Sequence, residues 1–340
     1  MGKQQQKPWV ETPLVESSTL SKAAGCRIFL KLENLQPSGS FKSRGVGHYM
    51  STLLKSSSNP SAVHFYSSSG GNAGLACVHA ARFLGRPATV VVPMSTKPLM
   101  LAKIRAAGAN EVLQHGASWK DADTWMRETV VAEAKERGEE PLYVPPFDHE
   151  LIWEGNAVLV EEVKRQMEGM CGEDARPDII VCSVGGGGLF NGIVQGAETS
   201  VLAGENVTLP EITSQATSLG ATKVSERTYE LATTRKQVKS IVLSDPEAAM
   251  GSWRLADDER LLVELACGVN VALCYGGRLE KALERSVRKD EKVVIVVCGG
   301  SNITIDNVTE WKYMYRTLND GVSGAEEKVV ASAASINGTE

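Results

Sequence analysis

Although the 340-residue chain contains seven cysteines, no two of them stand at Cys-x-x-Cys spacing. An odd number of thiols spread through apolar segments excludes a disulfide framework and points to reduced cysteines in a cytoplasmic protein. There is no surplus of positive charge either. With 36 Lys and Arg against 41 Asp and Glu, the net charge of −5 argues against a nucleic-acid partner. No run approaches the roughly 18 apolar residues that cross a bilayer, and the polar opening at 1–8 lacks the apolar core of a signal peptide, so no membrane partner is expected. His48, His64, His79, His115 and His149 show no metal-ligand spacing, and no metal site is expected. What remains is a 42% hydrophobic chain, long enough for two lobes with sizeable cores.

Four short segments place small residues directly after apolar runs. The first, Ser38-Gly39-Ser40-Phe41-Lys42-Ser43-Arg44-Gly45, follows an extended run at 28–32. A lysine held in a partly dry loop at a helix start loses part of its preference for charge and becomes a nucleophile toward an aldehyde. A solvated helix N-terminus accounts for the same residues equally well. The second, Ser67-Ser68-Ser69-Gly70-Gly71-Asn72-Ala73-Gly74, joins a β-branched and aromatic run to a helical pattern at 75–84. Its N–H groups and hydroxyls suit a carboxylate, and Asn72 can donate to a ring oxygen; a capped turn is the plainer account.

The third segment, Ser183-Val184-Gly185-Gly186-Gly187-Gly188-Leu189, leaves a short apolar strand pattern. Successive glycines lose much backbone entropy on folding, and they fit a loop that wraps a phosphate at the positive end of a helix. The spaced glycines and trailing acidic residue of a dinucleotide fingerprint are missing, so a monophosphate cup is the better reading. The fourth, Val293-Val294-Ile295-Val296-Val297-Cys298-Gly299-Gly300-Ser301-Asn302, is an apolar strand whose carboxyl end is where open α/β sheets hold ligands. Cys298 taken singly reads as a buried small hydrophobe.

Between and around these segments, helical and strand patterns alternate as in an α/β protein with parallel sheets flanked by helices. Helices are predicted over 43–55, 72–84, 99–107, 119–137 and 151–167, and strands over 63–66, 88–92, 111–114, 179–182, 238–243 and 293–297. The proline-bearing stretch 141–148 reads as a return from one lobe to the other.

Together the four segments resemble the fold-type II pyridoxal-phosphate enzymes, whose fold is like that of the tryptophan synthase β chain, and among them the L-serine/L-threonine dehydratase group. Further similarity lies in Thr12-Pro13-Leu14, Lys31-Leu32-Glu33, Pro146-Phe147-Asp148, Ile152-Trp153-Glu154-Gly155 and Glu264-Leu265-Ala266-Cys267-Gly268. The element pattern divides into a larger cofactor-binding domain from 1–45 and 149–318 and a smaller domain from 46–148, and the polar, apolar-poor composition of 319–340 predicts a loose tail. The resemblance implies that Lys42 holds pyridoxal 5'-phosphate as a Schiff base and that Phe41 packs against the ring. Asn72 would bind the ring's 3′ oxygen, while Gly185, Gly186, Gly187, Gly188 and Leu189 surround the phosphate. Ser69, Gly70, Gly71, Asn72 and Ala73 would hold the substrate, with Ser69 at its carboxylate.

Cys298 would face the pyridine nitrogen. A neutral thiol there makes the ring a weaker electron sink than a carboxylate would, which elimination tolerates better than transamination. The implied activity is deamination of L-serine and L-threonine to pyruvate or 2-oxobutyrate, with Lys42 as the base at Cα, in a cytoplasmic homodimer. Rival reactions are β-replacement with a thiol and serine racemisation, the latter with Ser69 as a second acid/base.

One region departs from this pattern. After the helix predicted at 189–196, the family has a further parallel strand ending in an acidic turn beside a monovalent-cation site. Residues 197–210 instead run into another helical pattern at 211–219. By ordinary strand and loop lengths, about 15–20 residues are missing, and a disrupted K+ site is expected with them. A working dehydratase with a rearranged sheet, an impaired cofactor-binding relative and a poorly folding truncated product are the readings this leaves. The retention of Lys42, Asn72, the glycines and Cys298 favours the first.

Overall fold

In the computed structural model the described residues are 6–197, 214–221, 223–235 and 237–316. Eight strands lie among them: β1 (Leu14–Ser17), β2 (Arg27–Lys31), β3 (Val63–Ser67), β4 (Ala88–Val92), β5 (Glu111–Gln114), β6 (Glu140–Tyr143), β7 (Ile179–Val181) and β8 (Lys292–Val296). They make two four-stranded sheets. One has the order β1-β2-β8-β7, parallel except where β1 runs against β2; the other, β5-β4-β3-β6, is parallel throughout.

Position in the sheet explains the sequence patterns. β8 lies between β2 and β7 with helices over it, and Val293 to Val296 are fully buried, so it reads as one apolar run without alternation. β3 is likewise buried along its whole length. The predicted helix over 119–137 forms as Trp119–Trp125 and Val131–Glu136, joined by five residues, Met126–Val130, in the wider π geometry.

Helix Lys42–Ser56 is set in place by a buried charge cluster. Arg44, wholly inaccessible, binds Glu33 through Nε and Nη2 (2.7 and 2.8 Å) and Glu162 through Nη1 and Nη2 (2.7 and 2.6 Å). Lys31 completes it, donating to Glu162 (2.7 Å), the Thr12 carbonyl (2.6 Å) and Gln166 (3.0 Å). Two cations meet two carboxylates, so no net charge is left in the interior, and every member is hydrogen-bonded. The cluster thereby ties helix Lys42–Ser56 to β2 and to helix Glu150–Cys171.

Several expectations need correction. Residues 238–243 form no strand: Val242 is 91% exposed, and Val238 and Leu243 instead pack their side chains onto two separate core clusters. The stretch beginning at Pro141 is no simple return segment, because Glu140–Tyr143 pairs with β3 as an edge strand. An edge tolerates Pro141, which lacks an N–H to donate. Of the helical pattern at 211–219, residues 214–219 hold only a single 3₁₀ turn, Thr217–Leu219. β1 and the helix Leu265–Ala272 were not anticipated. The expected loss of a strand after residue 196, and of the cation site with it, falls on 198–213, outside the described residues.

Candidate active site

The chain brings its small-residue loops together where β8 ends. Ser40 bridges Gly299, the Phe41 N–H donates to the Cys298 carbonyl (3.2 Å), and the Gly300 N–H donates to the Gly39 carbonyl (2.9 Å). So close an approach requires glycine: at Gly299, with φ +81°, a Cβ would lie 2.3 Å from the Gly39 oxygen. Main-chain bonds thus deliver Lys42 to the end of the central strand.

Lys42 begins helix Lys42–Ser56. Residues two apart on a helix point roughly 200° from one another, so with Arg44 turned into the charge cluster Lys42 leaves on the other side. Its ammonium donates to the Pro146 carbonyl (2.6 Å) and stands 5.3 Å from the centre of the Phe41 ring and 5.9 Å from that of Phe147. Burial pushes its pKa down to about 8, with nearby Cys298 acting the other way.

The glycine run lies against the residue that follows Pro146. A Cβ on Gly186 would strike the Phe147 ring (2.3 Å), and one on Gly188 the Phe147 carbonyl oxygen (2.5 Å). One on Gly187, at φ +100°, would strike the Thr228 hydroxyl (1.6 Å). Thr228 donates to Asn191 (2.8 Å), Asn191 donates to Ser225 (3.0 Å), and the Ser225 N–H donates to the Gly186 carbonyl (3.1 Å). The run is therefore backed by a buried polar network and opens helix Gly188–Ala197, whose first N–H groups have no partner inside the helix. Leu189 turns its side chain into the large core, which leaves its main chain to the loop.

Asn72 opens helix Asn72–Phe83 and crosses to the other loops. Its Oδ1 accepts from the Ser301 N–H (2.9 Å), and its Nδ2 donates to Glu264 Oε1 (3.1 Å) and Ser218 Oγ (3.3 Å). Ser69 is bound within its own loop, its hydroxyl accepting from the Gly71 N–H (3.3 Å). Gly70 abuts Thr96 and Val92, and Ala73 is buried in the first helical turn. Beneath the loop Ser68 donates to Asp123 Oδ1 (2.6 Å); that carboxylate also accepts from the Tyr143 hydroxyl (3.0 Å) and pairs with Arg127 (2.8 Å).

Cys298 is buried with its Sγ 3.3 Å from the Ser183 hydroxyl and 3.8 Å from Asn270 Nδ2. The hydrogen bond from Cys267 holds the Cys298 thiol below its ordinary value against the opposing effect of burial, with Ser183 helping; Cys267 is pushed up, chiefly by burial. All seven cysteines are free.

Lys42, Phe41, Asn72, the glycine run and Cys298 are thus gathered at the carboxyl ends of β7 and β8, while Ser69 and Gly70 join them through the loop that carries Asn72. Glu264, Phe147 and Asp123 were given no role by the sequence reading. Glu264 and Phe147 stood in recognised stretches without a visible partner, whereas nothing local distinguishes Asp123 from the other charges of its helix. No group of three or more His, Cys, Asp or Glu among the described residues could hold a metal ion, and no described helix is long and apolar enough to cross a membrane.

A lysine, a glycine cup and a polar strand end in this arrangement define an α/β enzyme of the fold-type II kind, and the chain belongs to the pyridoxal-phosphate dependent enzyme family, whose model matches residues 6–299. It is similar to an L-serine dehydratase of Saccharomyces cerevisiae, 40% identical over 324 residues, covering 87% of this chain and 95% of that one. It is also similar to the human protein named serine dehydratase-like, 42% identical over 322 residues, with 88% and 92% covered. Among solved structures, a fungal L-serine ammonia-lyase from Rhizomucor miehei superposes with a TM-score of 0.77 at 32% identity, covering 91% of this chain and all of that one.

Proposed function

We propose that this chain uses pyridoxal 5'-phosphate to deaminate L-serine, and L-threonine as well, releasing pyruvate or 2-oxobutyrate with ammonia. The observation that carries this reading is the Lys42 amine, brought to about pKa 8 beneath aromatic rings at the strand ends, in a chain whose relatives bear the name L-serine dehydratase. The residues present fit the cofactor. The glycine run has no room for a Cβ and leads into a helix N-terminus, the combination a phosphate needs. Lys42 offers the amine for an aldehyde, and Asn72 an N–H for a ring oxygen.

Bound there, pyridoxal phosphate supplies an electron sink for negative charge at the substrate Cα. The protein does the rest. The main chain of Gly185 to Leu189 would hold the phosphate, Asn72 would orient the ring through its 3′ oxygen, and Phe41 and Phe147 would shield the amine. The Ser69, Gly70 and Gly71 loop, with Ala73 at the helix start, holds the substrate carboxylate. Lys42 Nζ takes the proton from Cα, a task suited to an amine that titrates near working pH. Cys298 would offer a thiol to the ring nitrogen. The net change is loss of water across Cα–Cβ, then hydrolysis of the resulting enamine to keto acid and ammonia. The same reading carries a cytoplasmic homodimer acting on a small amino acid.

The test is to give purified protein L-serine and follow keto acid and ammonia together, beside Lys42→Ala. Equal amounts of pyruvate and ammonia from the parent, and neither from the variant, are expected. D-serine without pyruvate, or a thiol adduct without pyruvate when sulfide is present, would overturn the reading in favour of racemisation or β-replacement. Cofactor binding with no product at all would mark an impaired relative.

A further inference from the structure

Resting on that reading, we propose that Glu264 is a positioning residue for the cofactor ring, acting through Asn72. A side-chain amide can sit either way round, and its environment decides which end donates. Here both ends are decided. The Ser301 main-chain N–H faces Oδ1 at 2.9 Å, and the Glu264 carboxylate faces Nδ2 at 3.1 Å. Turning the amide over would set donor against donor at Ser301 and acceptor against acceptor at Glu264, two unmade half-buried bonds in place of two made ones. One Nδ2 hydrogen is committed to Glu264. The other reaches only the exposed Ser218 hydroxyl at 3.3 Å, a long contact that a ring oxygen can replace.

The position of Glu264 is itself built. The residue is 5% exposed, accepts from the Asn302 N–H at 2.6 Å and is hydrogen-bonded by the Ser218 hydroxyl. Gly300, at φ +113°, is kept free of a side chain that would come within 2.4 Å of the Glu264 carboxyl carbon. One carboxylate therefore joins the Asn72 loop, the turn after Cys298 and the Thr217–Leu219 turn. Three donors converge on it, an arrangement that only an acceptor-rich group satisfies.

The experiment measures the dissociation constant of pyridoxal phosphate on apoprotein, by the absorbance of the lysine-bound cofactor, for the parent, Glu264→Gln, Glu264→Ala, Asn72→Ala and the Glu264→Ala/Asn72→Ala double variant. Melting of each apoprotein controls for folding. A glutamine can still accept from Asn72 and Asn302 and turn its amide nitrogen to Ser218, so Glu264→Gln should bind within about threefold of the parent. Glu264→Ala should bind about tenfold more weakly or worse, as expected when a charged hydrogen-bond partner is lost. With Asn72 already removed, deleting Glu264 should weaken binding by less than about twofold, which a purely structural role would not produce. If Glu264→Ala does not fold, Glu264→Asp, which withdraws the carboxylate by one methylene, should lose about threefold or more.

Parent-like binding by Glu264→Ala, independent effects in the double variant, or equal failure of Glu264→Gln and Glu264→Ala would each overturn the proposal while leaving the proposed activity standing. Absence of a Lys42-dependent cofactor signal in the parent would instead bring down the functional reading, and this inference with it.

Discussion

Lys31 and Lys42 lie eleven positions apart, at the end of β2 and the start of helix Lys42–Ser56, and burial lowers the pKa of both. Around Lys31 the chain supplies a carboxylate at 2.7 Å, a carbonyl and an amide oxygen, and Glu162 pulls the pKa back up. Around Lys42 it supplies a carbonyl and two aromatic rings, and among the described residues no carboxylate pairs with it. The first arrangement holds an ammonium as a structural cation; the second leaves an amine able to lose its proton near neutrality. One residue type becomes scaffold or reagent according to whether a counter-ion is buried with it.

Removing each side chain in turn should separate the two environments most sharply. Lys42→Met takes away a half-buried amine that has no carboxylate partner among the described residues: keto-acid formation from L-serine should fall at least about 10³-fold, while the denaturation midpoint stays at or above that of the parent. Glu162→Ala should do the opposite. It strips the counter-ion from Lys31 and half of that from Arg44, and urea unfolding should show a loss of about 3–5 kcal/mol, the scale of a broken buried pair. If both variants behave alike, the contrast between the two lysines is wrong.

Titration gives a finer measure. Only the uncharged amine attacks an aldehyde, and the folded Lys42 carries its proton below about pH 8. The rate at which apoprotein takes up pyridoxal phosphate, followed by stopped-flow absorbance, should therefore rise about tenfold per pH unit up to that value and level off above it. A rise that continues to the ordinary lysine range would show that burial does not lower this amine. The smallest effect is expected beneath the substrate loop. Ser68→Ala removes the bond to Asp123, and steady-state kinetics should show KM for L-serine raised about 2- to 10-fold with kcat changed less.

The site was legible in the sequence to the extent that its chemistry is local. The glycine run, the lysine loop, the Asn72 loop and the strand end at Cys298 each announce a backbone that must come close to something, since glycine in such runs has no other use that offsets its entropy. What they approach was not legible. That Gly186 and Gly188 make room for Phe147, Gly187 for Thr228 and Gly300 for Glu264 depends on residues about forty positions away. The misread stretch at 238–243 failed for the same reason. Its β-branched residues suit a strand, but a strand exists only where a neighbour offers a ladder; here Val238 and Leu243 find separate core clusters, while Ile241 and Val242 stay exposed. Pro141 misled in the opposite sense, because an edge position, invisible locally, removes the objection to proline.

Most of the alternation of helices and strands and the parallel character of the sheets follow from short-range pattern, because apolar periodicity and turn chemistry act over a few residues, and the same pattern marks Lys42 as a candidate amine. Which buried lysine keeps a counter-ion, which way the Asn72 amide faces and which carboxylate holds it there were settled only when distant segments packed together, because electrostatic and hydrogen-bond partners are matters of distance in space and not in sequence.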